Sequence, residues 1–176
     1  TTEHILAALI GCEIHNCIIE INGTEVPIMD GSSKPFVEAI QNTGVQVQEA
    51  LQEVFVVQEN IHIADEVTGS EILIVPAEET SLTVMIDFET KVLGTQNAVL
   101  HKLEDFPSEI ASSRTFSFLH ELEMLLDQDL IKGGDLNNAI VYVNKTLDDS
   151  TMERLKKAFG KNEIAVKNNG ILDNLT

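Results

Sequence analysis

The spacing of apolar residues changes period once along this chain, and that change limits the folds open to it. From Val54 onward the period is two. VFVVQ, NIHIAD, EILIVP and SLTVMIDF are four short segments divided by turn residues. Successive side chains on a strand point to opposite faces, so each segment reads as a β-strand, and the four together as an antiparallel sheet. The apolar mass is Ile, Leu and Val with few aromatics, which suits sheet faces covered by helices.

Upstream the pattern is helical. Thr2 to Gly11 reads as a helix whose positions 5–10 are all apolar, hence buried on most sides, with Thr1 or Thr2 as cap and Gly11 at its end. His15 to Ile21 reads as a strand closed by the Asn22-Gly23 turn. Pro27 and Asp30-Gly31 mark a loop, and Ser33 then caps a helix with Pro35 at its front and Gly44 behind. Beyond the sheet, Ala98–Leu103 reads as a strand end and 106–112 as a short helix. A helix over Phe118–Gln128 carries Leu119, Leu122, Leu125 and Leu126 on one face. Lys132-Gly133-Gly134 is a turn, Ala139–Val143 a buried strand, and Ser150–Phe159 a capped helix ending at Gly160. A boundary between Val45 and Glu53 divides a unit at 1–46 from one at 47–176.

The 176 residues hold 29 acidic against 11 basic side chains, a net charge of −18. Duplex nucleic acid and anionic membrane surfaces are bound through cationic neutralisation, so this balance argues against both as partners. A single nucleotide-sugar needs only a few local cations. Cys12 and Cys17 form no disulfide framework, which points to the reducing cytoplasm, and both are expected as core thiols. Their spacing is not one used for zinc. No apolar stretch approaches the length of a membrane span, and none reads as a signal peptide. The chain opens without Met inside a helix, which suggests a piece of a longer protein.

Glu3-His4, at the mouth of the apolar run ILAALI, has the residue types a metal-assisted hydrolase needs: an imidazole to hold zinc and a carboxylate to take a proton from the attacking water. Taken alone, a histidine there is more often a cap or half-buried. Three further blocks accompany it: PIMDGSSKPFVEAIQ at 27–41, SRTFSFLHELEMLL at 113–126 and LIKGGDLNNAIVYV at 130–143. In this order the four resemble the UDP-3-O-acyl-N-acetylglucosamine deacetylases, zinc amidases of lipid A biosynthesis, from Thr1 to about Val143.

The resemblance implies an α+β fold of two domains, each a helix layer on a mainly antiparallel sheet. Residues 1–46 would end the first domain and 47–176 form most of the second. It implies His4 as a zinc ligand and Glu3 as general base, with the remaining His and Asp ligands expected beyond Thr176, in a His-Lys-x-x-Asp block. His101-Lys102-Leu103-Glu104-Asp105 has that spacing, but it lies upstream of Ser113-Arg114-Thr115-Phe116 whereas the family's block lies downstream. Thr115 would support the oxyanion and Phe116 lie against the sugar. Without the resemblance these two simply close a strand. Leu122, Leu136 and Val141 fall where the family lines an acyl passage, and equally where any fold buries its core. Ser117 and Glu121 stand where the family commonly has Gly and Asp. His15, His62 and His120 match no catalytic position, and Asp30 has no assigned chemistry. The implied substrate is an acylated UDP-sugar, and a chain with one ligand of three is expected to be inactive alone. The competing reading is a non-catalytic acidic α+β module that binds a ligand or partner. A nucleotide-binding domain of another kind would need a phosphate-cradling Gly-rich loop, which Gly133-Gly134 is too short to supply.

Overall fold

A computed structural model describes residues 1–128, 135–167 and 170–172. The elements are α1 (Thr2–Gly11), α2 (Lys34–Thr43), β1 (Ile61–Asp65), β2 (Ser70–Ile74), β3 (Leu82–Asp87), β4 (Thr95–Leu100), a 3-10 turn at Leu103–Asp105, α3 (Phe106–Glu109), β5 (Phe116–Phe118), α4 (Leu119–Asp127), β6 (Ile140–Tyr142) and α5 (Asp149–Phe159). The fold is α+β. β1 pairs β2 and β3 pairs β4 in antiparallel register, whereas β5 pairs β6 in parallel. The expected turn at 132–134 lies outside the described residues.

Three of the four period-two segments are strands. VFVVQ is not, and neither is 15–21. Both have strand-forming composition, but a strand also needs a ladder partner for its N–H and C=O groups. Neither meets one among the described residues, and their apolar side chains stand in solvent, Ile18 at 90% and Phe55 at 86% exposure.

α1 also departs from expectation. Ala8 and Gly11 are buried, but Leu6 and Ile10 are exposed, so the apolar run is covered on one side only. Thr1 does not cap it by side chain; its hydroxyl instead donates to Val26 O at 2.7 Å. Gly11 is the last helical residue and not a left-handed terminator. α2 follows its sequence signals more closely: Pro35 lies in the first turn, and Gly44 has φ +81°. The hydroxyl at its front comes from Ser32, which accepts from Lys34 N–H at 3.2 Å, while Ser33 contributes its carbonyl to Val37 N–H at 3.1 Å. α5 is capped by Asp148, which accepts from Thr151 N–H at 2.7 Å, and ends at Gly160 with φ 61°.

Two cores result. The first joins α1 and α2 to residues 100–111 through Ala8, Val37, Leu100, Phe106 and Ala111. It therefore draws side chains from both sides of the 46/47 boundary. The second packs Leu119, Leu122, Leu136, Val141, Leu155, Ile164 and Leu172 between α4, α5 and β6. Each fully buried Leu there stabilises the fold by about 1.5–3 kcal/mol relative to exposure. The β1–β2 hairpin joins neither core, and β3–β4 joins only through Leu100. Cys12 is half-buried, which pushes its thiol pKa up, and Cys17 is exposed rather than in the core.

Candidate active site

The first part of the site is the opening turn of α1. His4 N–H donates to Thr1 O at 3.1 Å. The His4 ring nitrogen Nδ1 is buried and has no hydrogen-bond partner among the described residues. A buried imidazole nitrogen left unpaired costs free energy unless something outside the described residues engages it. Glu3 points to solvent at 72% exposure. Hydrogen bonding to its own backbone N–H foremost holds its carboxyl below the usual carboxylate range.

The second part is built by three segments distant in sequence. Asp30 Oδ1 accepts from Ser32 N–H at 3.0 Å and Ser32 Oγ at 2.8 Å, which folds the Asp-Gly-Ser turn around a buried Ser32. Gly31 O accepts from Thr115 N–H at 2.7 Å, and Thr115 O accepts from Ile140 N–H at 3.0 Å. A Cβ on Gly31 would stand 1.8 Å from Asn138 O and 3.3 Å from Thr115 Cγ2. Thr115 is thus pressed between the 30–31 turn and the 137–140 segment, and its hydroxyl makes no hydrogen bond among the described residues. Arg114 donates from Nε to Asp30 O at 2.7 Å and from its terminal nitrogen to Asn137 O.

Residues 26–31 connect the two parts. Val26 O rests on the Thr1 hydroxyl and Gly31 O on the Thr115 amide. Five residues of chain reach at most about 18 Å, so the start of α1 and the Thr115 turn cannot lie far apart.

Phe116 is 39% exposed and its ring meets Phe88 edge-on at 5.4 Å and Tyr142 at 5.7 Å. Phe118, on the same face of β5, is buried and stacks on His120 at 5.9 Å. Asn144 fixes that ring through His120 Nδ1 at 2.8 Å. Glu121 accepts from Phe118 N–H at 2.9 Å and Ser117 Oγ at 3.3 Å. Ser117 and Glu121 therefore satisfy each other at the front of α4. Leu122, Leu136 and Val141 lie inside the second core at 7%, 1% and 2% exposure. They contact core side chains, and residues 129–134, between Leu122 and Leu136, lie outside the described residues.

Among the described residues no three His, Cys, Asp or Glu side chains gather closely enough to hold a metal ion. His101 lies before the 3-10 turn and Asp105 is its last residue, so the two share no helix face, and Lys102 between them pairs with Glu79 at 3.3 Å. His15 pairs with Gln52 and His62 with Glu71, both on the surface. No helix among the described residues is long and apolar enough to cross a membrane. Sequence reasoning gave no role to Arg114 or Asp30. The contact between them spans 84 positions, which no local spacing can signal.

The sequence matches the LpxC family, UDP-3-O-acyl N-acetylglycosamine deacetylase, over residues 1–161. The chain belongs to this family. It is 39% identical over 160 residues to a bifunctional enzyme LpxC/FabZ of Bacteroides thetaiotaomicron, covering 91% of this chain and 35% of that protein. To the bifunctional enzyme LpxC/FabZ of Chlorobaculum tepidum it is 40% identical over 177 residues, covering 99% of this chain and 38% of the relative. A UDP-3-O-acyl-N-acetylglucosamine deacetylase of Syntrophotalea carbinolica is 42% identical over 142 residues, 80% of this chain and 45% of the relative. The chain thus spans between a third and a half of the curated LpxC-family relatives it matches.

Proposed function

We propose that the protein containing this chain is a zinc-dependent amidase that removes acetate from UDP-3-O-acyl-N-acetylglucosamine in cytoplasmic lipid A biosynthesis. The family match over residues 1–161, which includes Glu3-His4, supports this reading. The observation that carries it is the buried Nδ1 of His4, which has no partner among the described residues. An imidazole with an unused lone pair suits a metal ligand, so His4 fits one position of a zinc site whose other His and Asp lie beyond Thr176. When bound, zinc lowers the pKa of water towards neutrality and polarises the amide carbonyl.

The chain's own residues have distinct tasks. A Glu3 oxygen accepts the proton of the attacking water. The Thr115 hydroxyl donates to the oxygen that gains charge as the amide carbon becomes tetrahedral, a contribution of about 3 kcal/mol for one such donor. Phe116 presents an exposed aromatic face to the sugar. Leu122, Leu136 and Val141 form the wall behind which the acyl chain is held. With one zinc ligand of three, the chain alone binds metal weakly and does not turn over substrate.

Metal analysis after dialysis tests this together with a deacetylation assay on the longer protein. The expected result is little zinc on the isolated chain, and stoichiometric zinc and activity in the longer protein, both lost on His4→Ala. Tight zinc on the isolated chain would revive His101 and Asp105 as ligands. A longer protein that neither binds zinc nor releases acetate would favour the non-catalytic binding module.

A further inference from the structure

We propose that Arg114 is a positioning residue that fixes Thr115 by buckling two otherwise separate loops together. The inference rests on the oxyanion role given to Thr115 above, but its geometry does not. The Arg114 guanidinium donates to two main-chain carbonyls, Asp30 O at 2.7 Å and Asn137 O, which lie 84 and 23 positions away. One residue later the same two segments grip Thr115 itself: Gly31 O receives its N–H at 2.7 Å, and Ile140 N–H donates to its carbonyl at 3.0 Å. Thr115 is therefore held on both sides of its peptide by loops whose separation Arg114 sets.

The first of these loops carries a non-glycine residue in the left-handed region. Met29 has φ 54° and Gly31 φ +81°. A non-glycine residue in that left-handed region persists only where its surroundings over-determine it, at a cost on the order of 1–3 kcal/mol. Asp30 spends its carboxylate on Ser32, so its carbonyl is what the turn presents to Arg114. The Thr115 hydroxyl has no hydrogen-bond partner among the described residues, so the backbone frame alone sets where its oxygen is placed. An error in that frame passes directly to the donor. A planar guanidinium reaches two carbonyls at once from a fixed fork, whereas a lysine ammonium on a flexible stem reaches one.

Arg114→Gln and Arg114→Lys test the proposal in two arms. In the first, amide hydrogen exchange is followed on the isolated chain, with no metal or substrate. The expected result is exchange at Thr115 and Ile140 faster by roughly tenfold or more. The Thr151 amide at the α5 cap and the Gly44 amide behind α2 keep their rates, and the thermal midpoint barely moves. Unchanged rates at Thr115 and Ile140, or an equal rise at all four amides, would overturn the proposal.

The second arm measures deacetylation by the longer protein. There kcat falls by roughly 10- to 100-fold, as for a misplaced catalytic group, and KM stays within about twofold. Arg114→Lys recovers part of the loss. A rise in KM with kcat preserved would overturn the link to Thr115. If the unsubstituted protein releases no acetate, the functional reading fails, and the exchange arm still decides whether Arg114 positions Thr115.

Discussion

The ring of Phe106 lies where a side chain on Gly11 would have to go. A Cβ built on Gly11 would meet Phe106 Cδ1 at 2.1 Å and Cγ at 2.6 Å. The last turn of α1 can therefore lie flat on the residues that follow β4, and the first core closes around that contact. Gly11→Ala forces the ring to move in a packed interior. The expected destabilisation is about 1–3 kcal/mol by urea unfolding. Phe106→Leu in the same chain should recover part of it, giving a non-additive double-mutant cycle.

Gly31→Ala faces a harder obstacle, because the atom in the way is backbone. Its Cβ would stand 1.8 Å from Asn138 O, and φ +81° is unfavourable for alanine besides. A loss of roughly 2–4 kcal/mol is expected, with the backbone resonances of Asn138 and Ile140 shifting most. Equal stability in the variant would show that the 30–31 turn and the 137–140 segment do not meet as described.

Leu155 and Ile63 should respond oppositely to truncation. Leu155 has no exposed surface and sits in the second core, whereas Ile63 is 56% exposed on β1. Leu155→Ala is expected to cost about 2–5 kcal/mol. Ile63→Ala should stay within about 0.5 kcal/mol. Chemical denaturation of both variants side by side makes the comparison.

Asp148 gives α5 a pH dependence of definite sign. The Thr151 N–H foremost, then the Ser150 and Thr151 hydroxyls, hydrogen-bond its carboxylate and hold its pKa below the usual value. The folded value is thus lower than the unfolded one near 3.9. The cap's contribution is complete above about pH 4 and is lost as pH falls through the folded value. Protection of the Thr151 amide should fade over that acid range. Asp148→Asn keeps an accepting oxygen and removes the dependence.

The elements legible in the sequence were those whose cause is local. Pro35 and Gly44 bracket α2, Gly160 ends α5, and alternation marks β1, β2 and β3. The segments at 15–21 and 54–58 carry the same composition without being strands, because pairing is decided by a partner and not by the segment. The site divides in the same way. Glu3 and His4 are neighbours and were found as a pair, and Arg-Thr-Phe was visible as a block. The tie from Arg114 to Asp30 was not, since it joins residues 84 positions apart. Gly11 was read as a helix terminator, when its lack of a side chain serves a ring nearly a hundred positions downstream.

β1 and β2 carry a bare aliphatic side, where Ile61 stands opposite Ile74 and Ile63 opposite Ile72. On a chain of net charge −18, mutual repulsion opposes any association of copies there. That repulsion reaches about 10 Å in 0.1 M salt and about 3 Å in 1 M. Dilute buffer should hold the material dispersed, and added sodium chloride should raise its light scattering well before any unfolding begins.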